Sequence, residues 1–261
     1  MIDAGEDQPA PASVSGRAPL SVVIPVCDEA VSVPVVLHEL LAKAGAVYEL
    51  DVIVVDDGSR DGSAEVIEDL ARQEPRIRLI RHPGRRGKSA ALRSGIAAAR
   101  ARWVATIDGD GENDPADMVA MARHIDPARV GAVGLVAGNR RRRTAGPWRL
   151  IASRIANGIR RVALQDDCPD TACGLKVIPR DLFLALPYFD SLHRYLPALV
   201  RRYGFEVVNM PVDDRLRISG RSKYTNLTRA LVGVVDLLGV YWLLRRTSVG
   251  GLPVVRDGDA G

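Results

Sequence analysis

"LDVIVVDDGSRDGS", residues 50–63, decides the fold. The apolar run Val52–Val55 reads as a strand, and it leads straight into two adjacent aspartates, Asp56 and Asp57. The chain then turns through Gly58 and Gly62 and opens a helix at Ser63, a helix-start residue. One carboxylate at a strand end is explained by capping. Two, followed by a Gly-Ser turn and Asp61, make a place prepared for a polar ligand or a metal.

Reading outward in both directions, strand and helix patterns alternate. "LSVVIPV" (20–26) has the continuous apolar character of a buried strand, and "VPVVLHELLAKA" (33–44) has helical periodicity. After the opening stretch come a helix in "SAEVIEDLARQ" (63–73), a strand in "RIRLIRH" (76–82), a helix in "KSAALRSGIAAARA" (88–101) and a strand in "RWVATI" (102–107). Such alternation predicts an α/β fold whose parallel strands are joined by helical crossovers. Ligands of such sheets gather at the carboxyl ends of the strands, and three of those ends bear acids: Asp28 and Glu29, Asp56 and Asp57, Asp108 and Asp110.

Composition bounds the function. With 261 residues, 47% of them hydrophobic, the chain can bury one large α/β core or two small ones. Residues 1–18 lack periodicity and are expected to form a disordered arm, with a flexible tail over 248–261. No basic region followed by an apolar stretch marks a secretory signal, and no run approaches the ~20 apolar residues of a membrane span. The two ends together carry −3, which leaves +7 on the body of a chain whose net charge is +4. A basic body favours anionic partners such as nucleotide phosphates or acidic lipid surfaces. Only 5% of residues are aromatic and no nucleic-acid module is recognisable, so nucleic acid is not an expected partner. Cys27, Cys168 and Cys173 are read as reduced thiols, because nothing in their spacing suggests a disulfide framework or a zinc site.

Two motifs imitate other chemistries. "RHPGRRGKSAA" places Gly87-Lys88-Ser89 between a strand and a helix as a P-loop does, but His82 stands where the first P-loop glycine belongs. Lys88 can still meet a phosphate. "IDGDGENDP" (107–115) carries Asp108, Asp110 and Glu112, hard oxygen donors suited to Mg²⁺ or Mn²⁺ holding a diphosphate. It is no EF-hand, since Asn113 and Val119 occupy the positions that need Gly and Glu. Asp114-Pro115 reads as the cap of the next helix.

Taken together, "VVIPVCDE", "VVDDGSRDGS", "GRRGKSAALRSGI" and "IDGDGENDP" resemble the family 2 glycosyltransferases. "DTACGLKV" (170–177) and "ISGRSKY" (218–224) resemble the polyprenyl-phosphate branch that includes dolichol-phosphate mannose synthase. The resemblance implies a GT-A fold over 19–224 that binds a nucleoside-diphosphate sugar over a cation held by a D-x-D pair. It implies an inverting transfer to a polyprenyl phosphate, with mannose as the default sugar and glucose, galacturonate or an amino sugar as alternatives. Residue by residue, Pro25, Glu29 and Asp57 correspond to positions around the nucleoside, with Asp56 as support. Asp108 and Asp110 correspond to the D-x-D pair, with Glu112 reaching the same metal, and Arg221 and Lys223 to a phosphate-binding loop. For Asp170, the acceptor-side and loop-stabilising readings both stand. Three departures are visible: Cys27-Asp28 for Tyr-Asn, Gly109 and Gly111 for larger residues, and Ala172-Cys173 for Gly-Cys or x-Ser.

Two later segments bear on location. "NRRRRTAGPWRLIASRIANGIRR" (139–161) is a solvated arginine face or a patch for anionic lipid headgroups. Residues 225–247 hold an apolar run broken by Asp236 and closed by Arg245-Arg246. That pattern suits a helix lying on a membrane or packing on a partner such as a membrane protein, with Tyr241-Trp242 at the boundary, and equally an ordinary core helix packed on the domain. The expected location is therefore peripheral, on the cytoplasmic face of a membrane. A processive polysaccharide synthase would carry Q-x-x-R-W and several spans, which this chain lacks. A non-catalytic nucleotide-binding subunit would have no use for Asp108, Asp110 and the "GRSKY" loop.

Overall fold

The computed structural model describes residues 17–124, 133–141, 158–218 and 226–246. Strands β1 (Pro19–Val26) and β2 (Glu49–Asp56) pair in parallel from Pro19↔Glu49 to Val26↔Asp56. Val22, Val23, Ile24, Val52, Ile53, Val54 and Val55 are all fully buried, so both faces of these strands are covered. That burial is why their sequences are continuous apolar runs and not alternating ones. β3 (Ile77–Arg81) extends the sheet beyond β2, and β4 (Trp103–Thr106) extends it beyond β1. Three later strands complete it: β5 (Val133–Arg140), β6 (Lys176–Pro179) and β7 (Glu206–Val212). The order is β3-β2-β1-β4-β6-β5-β7, with β6 antiparallel to both of its neighbours and every other pairing parallel.

Alternate strand residues feed two cores. On one face, Val22, Ile24, Val52 and Val54 pack with α1 (Val33–Ala44), α2 (Ser63–Gln73) and α4 (Pro115–Ala122). On the other, Val23, Ile53 and Val55 pack with α3 (Lys88–Ala98), a helical segment α5 over 158–164, α6 (Arg180–Ala185) and α7 (Leu196–Arg202). Each such aliphatic side chain contributes about 1.5–3 kcal/mol relative to exposure. A charge at Ile53 would therefore break the second core.

Helix boundaries follow local chemistry. α1 begins with Pro34 in its first turn, where a missing N–H costs nothing. α3 ends at Ala98, short of the expected Ala101, because Ala99 is extended and the next two N–H groups, of Arg100 and Ala101, donate to Ser21 Oγ. α2 is capped by Gly62, so Ser63 is its first helical residue and not its cap.

α8 (Asn226–Arg246) lies against the second core through Val240, Leu237, Tyr241 and Leu244, and Tyr195 Oη donates to the carbonyl of Gly233 at 3.4 Å. Its outer face exposes Val234, Val235, Leu238 and Trp242, each more than half accessible. The helix therefore packs by one side and leaves an apolar stripe on the other. Among the described residues no helix is long and apolar enough to cross a membrane.

Candidate active site

The carboxyl ends of β1 and β2 are stitched together by their own loops. Asp28 N–H donates to Ser59 Oγ at 2.9 Å, Arg60 N–H to Asp28 Oδ1 at 2.8 Å, and Ala30 N–H to Asp61 Oδ2 at 3.0 Å. Glu29 N–H donates to Ser63 Oγ at 2.8 Å, and Ser63 Oγ in turn donates to Asp61. Ser63, expected only to start a helix, is thus a buried tie between two loops. Beside these loops opens a cavity of about 730 Å³, lined by Cys27, Asp28, Asp56, Arg60, His82 and Arg85 among others.

Within the opening pair the two aspartates have different surroundings. Asp56 lines the cavity and accepts the Ser59 N–H at 3.1 Å. Asp57 turns away from it: its oxygens accept the backbone N–H groups of Arg86 (2.8 Å) and Gly87 (2.7 Å), and His82 Nδ1 lies 2.8 Å from Oδ1. With carboxylate oxygens as acceptors, Nδ1 carries the His82 proton, which leaves Nε2 to accept from Ser94 Oγ at 3.0 Å. Asp57 therefore holds the 82–88 loop, which presents Lys88. Pro25 sits in β1 opposite Val55, beyond the stretch of β1 that pairs with β4.

At the end of β4 the acids converge. Lys88 Nζ pairs with Asp108 Oδ1 at 2.5 Å. Burial works to raise Asp108, but the charge of Lys88, with Lys176 and Arg140 behind it, holds it below the usual carboxylate value. Asp110 is pushed up to about 6, first by burial and then by the charges of Asp108 and Glu112. Glu29 does not line the cavity; its side chain lies over Gly109, where any Cβ would overlap Oε2. Burial, followed by the charges of Asp110 and Asp108, pushes Glu29 up to about 8. Its Oε2 is buried without a hydrogen-bond partner among the described residues. Glycine at 109 is what lets this carboxylate reach the pair.

These acids fit a hard divalent cation. No three His, Cys, Asp or Glu side chains among the described residues form a complete metal cage. A cation of the Mg²⁺ or Mn²⁺ type needs only one or two carboxylates, with phosphate oxygens and water filling its shell. The Glu29 oxygen buried without a partner over Gly109 leaves a further hard donor beside the pair.

The far wall comes from the later strands. Asp170, 2% exposed, receives Arg140 Nε at 2.7 Å and its second nitrogen at 3.2 Å. Burial opposes the Arg140 charge, but Asp170 raises its pKa. In this placement Asp170 braces the loop before β6. Lys176, lowered by burial, donates to the carbonyls of Thr171 and Cys173. His193 is held well below its ordinary value by burial, then by Lys88 and Lys176, and its Nδ1 lies 2.9 Å from Ser89 Oγ. A strap over 213–218 crosses the acidic loop, where Arg217 pairs with Asp110 at 2.7 Å and Glu112 at 3.1 Å. Asp114 caps α4 as expected and also pairs with Lys43 at 2.8 Å. Arg221 and Lys223, and most of the arginine-rich stretch, lie outside the described residues.

Sequence reasoning missed Arg217, Arg140, Lys176, His82 and His193. Arg217 stands one residue before the quoted "ISGRSKY", so extending that window by one would have included it. Arg140 and Lys176 fall inside the quoted arginine-rich and "DTACGLKV" segments, and only their partners in space, Asp170 for the one and the Thr171 and Cys173 carbonyls for the other, set them apart.

Comparison with known proteins places this geometry. Residues 21–186 match the profile described as Glycosyl transferase family 2. The chain is 30% identical over 231 residues to the dodecaprenyl-phosphate galacturonate synthase of Rhizobium johnstonii, covering 87% of this chain and 67% of that protein. It is 30% identical over 208 residues to the undecaprenyl-phosphate 4-deoxy-4-formamido-L-arabinose transferase of Aeromonas hydrophila, covering 78% of this chain and 62% of that one. It thus spans about two thirds or less of the length of these relatives. The glucosyl-3-phosphoglycerate synthase of Mycobacterium tuberculosis, solved with Mn²⁺, UDP and phosphoglyceric acid, superposes with a TM-score of 0.64 at 19% identity, covering 90% of this chain and 80% of that one. That likeness shows the fold, of GT-A type. With four motifs, the sheet and the acid pair in agreement, the chain belongs to glycosyl transferase family 2.

Proposed function

We propose that this protein transfers a monosaccharide from a nucleoside-diphosphate sugar to a polyprenyl phosphate, inverting the anomeric centre. The observation that carries the reading is the Asp108–Asp110 pair after β4, faced by Lys88 and set on the same carboxyl edge of the parallel strands as the cavity that Asp56 lines. The cavity suits the nucleoside, and the acids with Lys88 suit its diphosphate. Relatives named for polyprenyl-phosphate sugar transfer support the lipid acceptor.

Transfer builds negative charge on the departing diphosphate. A Mg²⁺ or Mn²⁺ held by Asp108 and Asp110, with Glu112 and the neighbouring Glu29 within the same cluster, would neutralise that charge. Lys88, presented by the 82–88 loop that Asp57 fixes, would add a positive charge for the diphosphate. The acceptor phosphate is already ionised at neutral pH, so the site must position it more than deprotonate it. Arg221 and Lys223 are the cations assigned to that task, and Asp170 shapes the wall through Arg140. The apolar stripe of α8 and the nearby Arg245 and Arg246 would hold the enzyme at the lipid surface as a peripheral protein.

A screen of radiolabelled UDP- and GDP-sugars against undecaprenyl and dolichyl phosphate, with Mn²⁺ or EDTA, tests the reading. Galacturonate, 4-deoxy-4-formamido-arabinose, glucose and mannose are the sugars to include. Lipid-extractable label that depends on the divalent cation is expected from one of them. Label appearing only on a soluble phosphorylated acceptor would move the assignment away from lipid.

A further inference from the structure

The carboxylates assigned to the cation are already occupied by cations of the protein itself. Asp108 faces Lys88, and Asp110, only 7% exposed, faces the guanidinium of Arg217. Arg217 also reaches Glu112, so it bridges the two acids on its side of the loop. A guanidinium cannot lose its charge in a protein, and its flat fork suits paired carboxylates.

The placement is built, not incidental. Arg215 N–H donates to the Glu112 carbonyl at 2.9 Å and Ile218 N–H to the Asp110 carbonyl at 3.1 Å, so the strap runs along the acidic loop on both sides of Arg217. Asn113 and Asp214 add a β-bridge at one end. Ile218 rests on Gly111, whose positive φ of 81° suits glycine and where a Cβ would overlap the isoleucine. Arg215 ties the strap to α1 and α4 through Glu39 at 2.8 Å and through Asp114. Arg217 itself is one third exposed and carries no bond to α1 or α4 among the described residues, only its pairs with Asp110 and Glu112.

We propose that Arg217 is a tethered counter-cation: in the nucleotide-free protein it takes the position on Asp110 and Glu112 that a divalent cation needs, and it moves to the diphosphate when nucleotide arrives. Cation and nucleotide then bind cooperatively, each tightening the other by the same factor. The inference rests on the reading that Asp108 and Asp110 hold the cation.

Binding of Mn²⁺, followed by electron paramagnetic resonance of the free ion, tests it without any turnover. Wild type, Arg217→Gln and Arg217→Gln/Asp110→Asn are titrated alone and then with whichever of UDP or GDP the wild type binds; circular dichroism checks that each is folded. Arg217→Gln should bind Mn²⁺ alone about tenfold more tightly than wild type, a difference of about 1.4 kcal/mol. The factor by which nucleotide improves Mn²⁺ binding should shrink, and the double variant should lose the gain. Unchanged or weaker Mn²⁺ binding by Arg217→Gln, with loss in the double variant, overturns the counter-cation while the metal site stands. Mn²⁺ binding indifferent to Asp110→Asn removes the metal site and the inference with it.

Discussion

Asp56 and Asp57 are chemically identical neighbours, yet the backbone sends them to different tasks. Asp57, itself buried, satisfies the N–H groups of Arg86 and Gly87 and the buried His82, so Asp57→Ala strands several polar groups and should cost about 2 kcal/mol in urea unfolding. Asp56→Asn keeps the Ser59 contact and should lower nucleotide affinity in calorimetric titrations with little change in stability. The opposite pattern would return Asp57 to the nucleoside. Glu29 supplies a pH test. Its pKa in the fold is about 8 against 4.5 unfolded, so its favourable protonated state is fully present below 4.5 and lost as pH rises through 8. Glu29→Gln should therefore gain more stability over wild type at pH 8.5 than at pH 5 in the nucleotide-free protein. Mn²⁺ with nucleotide should narrow the gap. A variant equally or less stable at both pH values would show that the carboxylate is not strained. From sequence, residue types were legible here and directions were not, because a side chain's aim depends on loops that close far from it in the chain.

Elements were legible where burial imposes a pattern. β1 to β4 and their helices are covered on both sides, and their apolar runs and amphipathic stripes could be read directly. β5 carries Gly134, Gly138 and Asn139, and β7 carries Asn209 and Pro211. β7 is an edge strand, where proline is tolerated, so its sequence need not look like a strand. β6 has four residues, too few to show a period. α8 was legible as a helix, but its two faces required the fold. Leu238→Glu with Trp242→Glu should reduce cosedimentation with anionic vesicles by about tenfold or more, given the apolar area removed. Stability should change by no more than about 0.5 kcal/mol for each exposed position. Undiminished vesicle binding would place any membrane contact elsewhere.

Across the whole molecule the sheet has two halves of different origin. β3-β2-β1-β4 is built in sequence from strand–helix units and carries the cavity, the Asp57-braced loop and the acid pair. β6-β5-β7 joins through a single antiparallel seam, where Thr106 Oγ1 donates to the Gly174 carbonyl at 2.6 Å and Trp103–Thr106 pairs with Lys176–Pro179. The first half could be read from the opening stretch outward, and the second could not, since its order is set by pairings between distant segments.

That seam has a consequence for synthesis. On the ribosome the β3-β2-β1-β4 half can be complete while β6 and β7 are still untranslated, because its pairings use only earlier chain, whereas β5 has no neighbour in the sheet until β6 emerges. During that interval the inner edge of β4 offers unpaired backbone groups to any passing strand. The nascent chain is thus most exposed to misassembly after Asp108 and Asp110 are made and before β6 arrives to cover the edge beside them, and that is the window in which a chaperone would have most to do.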